Sequence, residues 1–139
     1  MGLLKHVVLP LYALLNLAVV FGSLVAEDLS DMLAAWGRDT AKVPVTDLEI
    51  HLYHAVGGTM AALFVNNVAA IVVENAHYRG MAVLLQMIFF AVDGYSYVRM
   101  GLPVPGVIYV IVGLGAVGLA VHSREPGIFT KDNTKPKSG

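Results

Sequence analysis

Asp93 is the residue of this sequence whose chemistry most needs an explanation, because it interrupts the otherwise apolar stretch "MIFFAVDGYSYV", residues 87–98. A charged side chain at the centre of a membrane helix costs about 2.5–3.5 kcal/mol on insertion scales, and such residues usually face protein and mark a function. Gln86, Asp93 and Tyr97 are seven and four residues apart, so they share one face of a helix. We therefore expect this face to line a polar pocket.

A second polar group lies in "LEIHLYHAVGG", residues 48–58, which contains Glu49, His51 and His54. Two histidines and a carboxylate are possible ligands of a metal ion, but their order differs from the H-E-x-x-H pattern of zinc helices. They also fall near a helix end, where an imidazole can simply be hydrated. We predict no metal site and no other cofactor, and we interpret these residues as groups that line the outer part of the pocket.

The elements that carry these residues are membrane spans. Of the 139 residues, 57% are hydrophobic and only 14% are charged, whereas about 25% are charged in a typical soluble domain. A helix needs roughly 20 apolar residues to cross a bilayer, and lipid leaves the backbone no partner outside the helix. We predict an all-α, polytopic membrane protein: an antiparallel bundle of four transmembrane helices within residues 1–122, followed by a polar tail at 123–139. The predicted spans are residues 7–26, 48–73, 80–98 and 104–121.

The connections between the spans differ in length and character. "ENAHYR" (74–79) and "MGLPVPG" (100–106) are short turns, so consecutive helices run antiparallel. The first loop is long, and within it the apolar residues recur at i, i+3, i+4 and i+7 before a glycine. This spacing predicts a short helix in the membrane interface, with an aromatic anchor at its end. Its apolar face consists of Leu29, Met32, Leu33 and Trp36.

The distribution of basic residues predicts the orientation. With four spans both termini lie on one side, and six of the nine lysines and arginines fall on that side. The positive-inside rule then places both termini in the cytoplasm or its organellar equivalent. Asp93 and His54 are each about five or six residues, or roughly 8 Å, from the opposite surface. The two side chains are therefore expected at the same depth on adjacent helices.

These positions together define the predicted site. It is a polar pocket that opens toward the outer surface, in which Asp93 and His54 are the candidate acid and base and Tyr97 the candidate hydrogen-bond donor. The competing interpretation is that the polar side chains only hydrogen-bond the helices to one another, at typically less than about 2 kcal/mol per contact. The other residues expected to line the pocket are Asn16, Glu49, His51, Asn66 and Gln86.

The stretch "GLGAVG" (113–118) fits the G-x-G-x-x-G pattern of dinucleotide-binding folds. That pattern binds a cofactor only after a β-strand in a soluble βαβ unit, whereas here it lies inside the fourth span. Small residues in membrane helices let neighbouring helices approach closely. We interpret this stretch, and the pairs Gly57–Ala61 and Gly58–Ala62, as helix-packing surfaces.

The stretch "ENAHYRGMA" (74–82) resembles the E-x-x-H/N-x-R pattern of chlorophyll a/b-binding light-harvesting proteins. The resemblance implies that Glu74 and His77 would ligate chlorophyll magnesium and that Arg79 would pair with a glutamate. The sequence carries one copy of the pattern, and that copy reads as a turn between two spans. A pigment-binding, antenna-like subunit is the function that this resemblance implies.

The layout as a whole is similar to that of the DoxX-like small four-helix membrane proteins. The similarity covers about residues 7–122 and consists of a long first outer loop, a tight basic turn with Arg79, and the turn "RMGLPVPG" before the last helix. Small sterol-scaffold membrane proteins share this layout and size. Both resemblances imply a small membrane partner of lipid or redox enzymes, and neither supplies a catalytic motif at a residue of this chain.

Three functions are compatible with these features. We favour an accessory subunit or scaffold of a larger membrane complex, whose pocket holds a lipid-like ligand. The alternatives are an isomerase or hydrolase acting on a sterol, isoprenoid or epoxide, and a pathway for protons or small solutes. Expected partners are membrane lipids and either other membrane subunits or further copies of the chain. A net charge of −1 argues against nucleic acid, and the absence of cysteine excludes disulfides and thiolate chemistry.

Overall fold

The computed structural model describes residues 2–25, 29, 33–34, 39, 41–42 and 44–125. Within these residues all the regular secondary structure is helical. The prediction of an all-α protein is therefore confirmed. The predicted tail at 123–139 lies outside the described residues from position 126 onward.

The first helical rod is continuous but changes its winding. A π-helical segment, Leu4–Val8, leads into helix α1, Leu9–Val20, and a second π-helical segment, Phe21–Val25, follows. Pro10 has no backbone N–H, so it cannot donate to the carbonyl one turn earlier. The wider winding, in which the Leu9 N–H bonds to the Leu4 carbonyl, ends next to this proline.

Three further helices follow, and local sequence explains where two of them begin. Helix α2 spans Asp47–Val72 and helix α3 spans Ala76–Arg99. Thr46 caps α2 through its hydroxyl, and the Asn75 side chain caps α3 by accepting the Tyr78 N–H. Because of that cap, α3 begins at residue 76 rather than at the predicted position 80. Helix α4 spans Gly106–His122.

Three of the helical rods are long and apolar enough to cross a membrane. They cover 21, 26 and 24 residues, from Leu4–Leu24, Asp47–Val72 and Ala76–Arg99. Helix α4 has 17 residues and is about 26 Å long at 1.5 Å per residue, slightly less than the roughly 30 Å of a bilayer core. It is an apolar helix but is shorter than the other three rods, so the fourth predicted span stays a prediction.

Helix α1 packs most extensively along α2, while α3 packs along α4 and less extensively against α2. Two polar contacts attach α4 to the other helices. The Tyr12 hydroxyl donates to the Ile111 carbonyl, and Nε2 of His122 lies 2.9 Å from the Ala76 carbonyl oxygen. The buried apolar core contains residues of all of these helices. Its members with under 2% exposure on the first, second and third rods are Leu4, Val8, Leu9, Tyr12, Met60, Ala70, Val83 and Phe90.

The predicted interfacial helix of the first loop lies mostly outside the described residues. Leu29 and Leu33 are described, and both are buried. The Leu33 N–H donates to the Leu29 carbonyl over 2.9 Å, which is the hydrogen bond of one helical turn. Met32 and Trp36 are not among the described residues.

Candidate functional site

A cavity of about 100 Å³ lies between the first three helices. Helix α2 contributes residues at i, i+3 and i+7, so one face of that helix forms a wall. Helix α3 contributes the carboxylate and most of the aromatic rings, and α1 contributes one apolar side chain. Several lining residues are partly exposed, so the cavity opens at the protein surface. The lining consists of Val19, Tyr53, Val56, Met60, Phe89, Phe90, Asp93 and Tyr97.

Asp93 provides the only charged group among the described residues that line this cavity. It is six residues from the end of α3, or about 9 Å along the axis, and Tyr53 is equally far from the start of α2. Among the residues that the structure describes, no donor or cation forms a hydrogen bond or ion pair with the Asp93 carboxylate. The Asp93 carboxylate can therefore interact, through its charge or as a hydrogen-bond acceptor, with a molecule that enters the cavity.

The three candidate acid–base residues are not all brought together. Asp93 and Tyr97 both line the cavity, as one face of α3 requires. His54 and His51 are exposed and do not belong to its lining. On α2 it is Tyr53, the residue before His54, that lines the cavity. Adjacent residues of a helix point about 100° apart, so a wall that contains Tyr53 turns His54 away.

The predicted inner extension of the pocket is a closed polar cluster. Asn16, Asn67 and Gln86 are completely buried where α1, α2 and α3 meet. Asn16 and Gln86 exchange two side-chain hydrogen bonds of 2.7 and 3.0 Å, and Asn67 donates to the same Gln86 oxygen over 3.1 Å. None of these three residues lines the cavity. The arrangement connects three helices and leaves Asn67 Oδ1 without a partner.

Asn66 and Glu49, which were also expected at the pocket, are used elsewhere. Asn66 accepts a 2.9 Å hydrogen bond from the Tyr78 hydroxyl, between α2 and the start of α3. Glu49 forms a capping box with Thr46, in which each residue bonds the backbone N–H of the other. The sequence T-D-L-E carries the S/T-x-x-E signature of that motif, which explains its position at the helix start.

Of the three residues of the light-harvesting-like pattern, Arg79 caps the end of α2. Arg79 donates to the carbonyls of Ala70 and Val73, over 3.1 and 3.0 Å, so it satisfies the last turn of α2. Glu74 lies 3.9 Å from the Lys5 ammonium and is well exposed. His77 is exposed on the first turn of α3.

The glycine-rich stretch of α4 is a packing surface. A Cβ atom on Gly115 would lie within 2.5 Å of the Met87 side chain and would collide with the Tyr12 hydroxyl. A Cβ atom on Gly118 would lie 2.8 Å from the Leu4 side chain. Gly113 has open space around it. Two of the three glycines therefore let α4 approach its neighbours closely, as expected for small residues in membrane helices.

The cavity also contains residues that the sequence did not single out. Tyr53, Val56 and Met60 follow helical spacing, which was a usable signal, but the equally apolar residues around them obscured it. Phe89 and Phe90 pack edge to face, with ring centroids 5.4 Å apart. Among the described residues, no group of three or more histidine, aspartate or glutamate side chains is arranged to hold a metal ion.

Comparison with known proteins does not assign this chain to a family. No family model, no curated protein and no solved structure matches the chain. The resemblances to DoxX-like and light-harvesting proteins therefore remain expectations from sequence. The cavity beside Asp93 is the feature on which a function for this all-helical membrane protein has to be built.

Proposed function

We propose that this integral membrane protein is a non-catalytic ligand-binding subunit, which holds the head of an amphiphilic molecule in the cavity between α1, α2 and α3. The observation that carries the proposal is the unpartnered Asp93 carboxylate in an otherwise aromatic and aliphatic cavity. Ligand sites are typically apolar pockets with a few polar groups that fix orientation. This cavity has that composition.

Binding is favoured over catalysis because of what stands next to Asp93. An isomerase or hydrolase needs a second group that transfers protons within hydrogen-bond reach of the substrate. The imidazole proposed for that role, His54, is exposed and outside the cavity lining. The other polar groups of the described lining are the hydroxyls of Tyr53 and Tyr97, which can orient a ligand by hydrogen bonding.

The volume of the cavity limits what part of a ligand enters it. An engineered protein cavity of about 150 Å³ holds one benzene molecule. A cavity of about 100 Å³ with an open mouth therefore accommodates a small head group and leaves an alkyl chain outside. The apolar outer surface of the helices, on which Val65, Val92 and Val110 are each at least 60% exposed, offers that chain a suitable environment.

An accessory role in a larger complex is supported by the same apolar surface. Only about a third of each long helix is buried within the chain, with 39, 28 and 28% for the three spans. The remainder faces lipid or other membrane helices. Small exposed residues on α2, such as Ala55, Gly58 and Ala62, suit close approach of another helix.

Native mass spectrometry of the protein, released from its own membrane in a nonionic detergent, tests this proposal. We expect the chain to retain an amphiphile of defined mass. Partner subunits at a fixed stoichiometry in the same spectra support the accessory role. A chain that is always bare and monomeric contradicts both parts, and turnover of a sterol, isoprenoid or epoxide contradicts the non-catalytic role.

The orientation is part of the proposal. With four spans, six of the nine basic residues would lie on the side of the termini, which supports a cytoplasmic or equivalent location for both ends. The chain has no cysteine, so any thiol labelling comes from the introduced cysteine alone. We expect Leu102→Cys to react with an impermeant reagent from outside and Glu74→Cys to react only after the membrane is opened. The reverse pattern contradicts this orientation.

A further inference from the structure

We propose that the cavity selects a cationic head, namely an ammonium group carried on an alkyl chain. This inference rests on the proposed function, because it names the chemical class of the ligand for that same cavity. Its basis is the combination of one carboxylate and four aromatic rings in a space to which no described residue contributes a basic side chain.

The charge of the cavity points to a cation. The described residues of the lining include Asp93 and no lysine, arginine or histidine. The next basic residue along α3 is Arg99, which is exposed and whose guanidinium lies 3.5 Å from the Tyr95 hydroxyl. A carboxylate in a poorly hydrated site is stabilised by an opposite charge within a few ångströms. Among the described residues the protein supplies no such charge, so we assign it to the ligand.

The aromatic rings favour the same class of ligand. Tyr53, Phe89, Phe90 and Tyr97 surround the space beside Asp93, and they come from two helices. A cation over an aromatic face is attracted by the ring quadrupole, and aromatic cages are a common way to bind alkylated ammonium groups. An anionic head would be repelled by the carboxylate. A neutral alcohol would form a hydrogen bond and would gain nothing from the rings.

The remaining surfaces suit an amphiphile rather than a small soluble amine. Val19, Val56 and Met60 make the rest of the lining apolar. Asp93 lies about 9 Å along the helix axis from the end of α3, so a head group bound beside it is near one end of the bundle, and its chain can lie along the apolar outer surface of the helices. A small soluble amine would lose its hydration on entering the cavity and has no alkyl chain whose burial in the bilayer could compensate.

Photoaffinity labelling in nonionic detergent tests the inference. The probes are a dodecyl chain with a diazirine near its head and either a trimethylammonium, a hydroxyl or a carboxylate at that end. Peptide mass spectrometry then locates the label. We expect the ammonium probe to label the α2 and α3 walls of the cavity roughly tenfold more than the alcohol, and the carboxylate least.

Matched variants separate the contributions of charge and rings. Asp93→Asn should lower labelling by the ammonium probe to the level of the alcohol. Asp47→Asn, which removes an exposed carboxylate at the same end of the bundle, should leave it unchanged. Tyr97→Leu should weaken labelling by the ammonium probe and spare the alcohol. If Asp93→Asn does not fold, the Tyr97→Leu result decides the test.

The outcomes distinguish the two levels of the argument. Equal labelling by ammonium and alcohol, or no effect of Asp93→Asn and Tyr97→Leu, overturns the cationic selectivity and leaves the cavity as a ligand site. Absence of cavity labelling by every probe overturns the proposed function as well. Competition by phosphatidylcholine but not phosphatidylglycerol would identify the head of a bulk lipid as the source of the ammonium group. Competition by neither lipid would favour a separate amine.

Discussion

Gln86 and Asp93 lie on the same face of α3, seven residues apart, and they differ in what surrounds them. Gln86 is completely buried and bonded to side chains of two other helices. Asp93 is only partly buried and has no such partner among the described residues. Gln86 therefore has a structural role in holding the helices together, whereas Asp93 is available to a ligand. The distinction depends on partners across the interface, which a single helix does not reveal.

The polar cluster leads to a prediction about stability. Gln86→Leu removes three hydrogen bonds and leaves the Asn16 and Asn67 amides buried without that partner. In membranes a side-chain hydrogen bond contributes about 0.6 kcal/mol on average, and an unsatisfied buried group costs about 1–3 kcal/mol. We expect the variant to lose about 2 kcal/mol of free energy of unfolding. Unfolding by sodium dodecyl sulfate in mixed micelles measures this loss.

The triple variant Asn16→Leu, Asn67→Leu, Gln86→Leu is the control for that prediction. Replacing all the partners with apolar groups leaves no amide unsatisfied, so much of the lost stability should return. A Gln86→Leu protein as stable as the wild type would show that the cluster contributes nothing. A triple variant less stable than Gln86→Leu would show that the amides do more than satisfy one another.

Sequence predicted one half of the site and could not predict the other. Asp93 and Tyr97 follow from the 3.6-residue period of α3 alone. The wall from α2 depends on how that helix is rotated, and a rotation of 100° exchanges Tyr53 for His54. In a soluble helix the apolar stripe fixes the rotation. In α2 the lipid-facing and protein-facing sides are both apolar, so that signal is nearly absent.

At the scale of elements, two neighbouring glycines of α2 show how helices are brought together. A Cβ atom on Gly57 would lie 2.7 Å from the Leu24 side chain and would collide with the Ser23 hydroxyl. A Cβ atom on Gly58 would have nothing within 4 Å. Close packing between the first rod and α2 therefore depends on one of the two glycines.

This pair provides its own matched experiment. Gly57→Ala forces the two helices apart or displaces Ser23, and overpacking of this kind costs about 1–3 kcal/mol. Gly58→Ala meets no obstacle and gains up to about 1 kcal/mol of helix propensity. We expect the two variants to shift the free energy of unfolding in opposite directions, measured in the same micelles. Equal shifts would contradict the close approach at Gly57.

The ends of the elements show which local signals were informative. Apolar length identified all four helices, and the T-D-L-E capping box explains the start of α2. The sequence predicts a start of α3 that is four residues too late, because "ENAHYR" has the composition of a polar turn. The Asn75 side chain accepts a backbone N–H at the start of α3, and Arg79 donates to a backbone carbonyl at the end of α2. This short polar sequence therefore contains both the end of one helix and the start of the next.

At the scale of the whole molecule, three helices enclose the cavity and the fourth supports them from outside it. Helix α4 contributes nothing to the cavity lining. Two hydrogen bonds attach α4 to the other helices: Tyr12 of α1 bonds the Ile111 carbonyl of α4, and His122 at the end of α4 bonds the Ala76 carbonyl of α3. This division leaves the cavity near one end of the bundle and the polar cluster near its middle, where hydrogen bonds connect the three helices that form the walls.

The most direct measurement of the central claim, that the cavity between α1, α2 and α3 is a ligand site, is native mass spectrometry of a cavity-filling variant beside its control. Val56→Trp places an indole in the cavity, while Val65→Trp adds the same group to α2 at a position that is 64% exposed. We predict that the wild type and Val65→Trp retain the amphiphile and that folded Val56→Trp is bare. Retention of the same molecule by Val56→Trp would contradict the account.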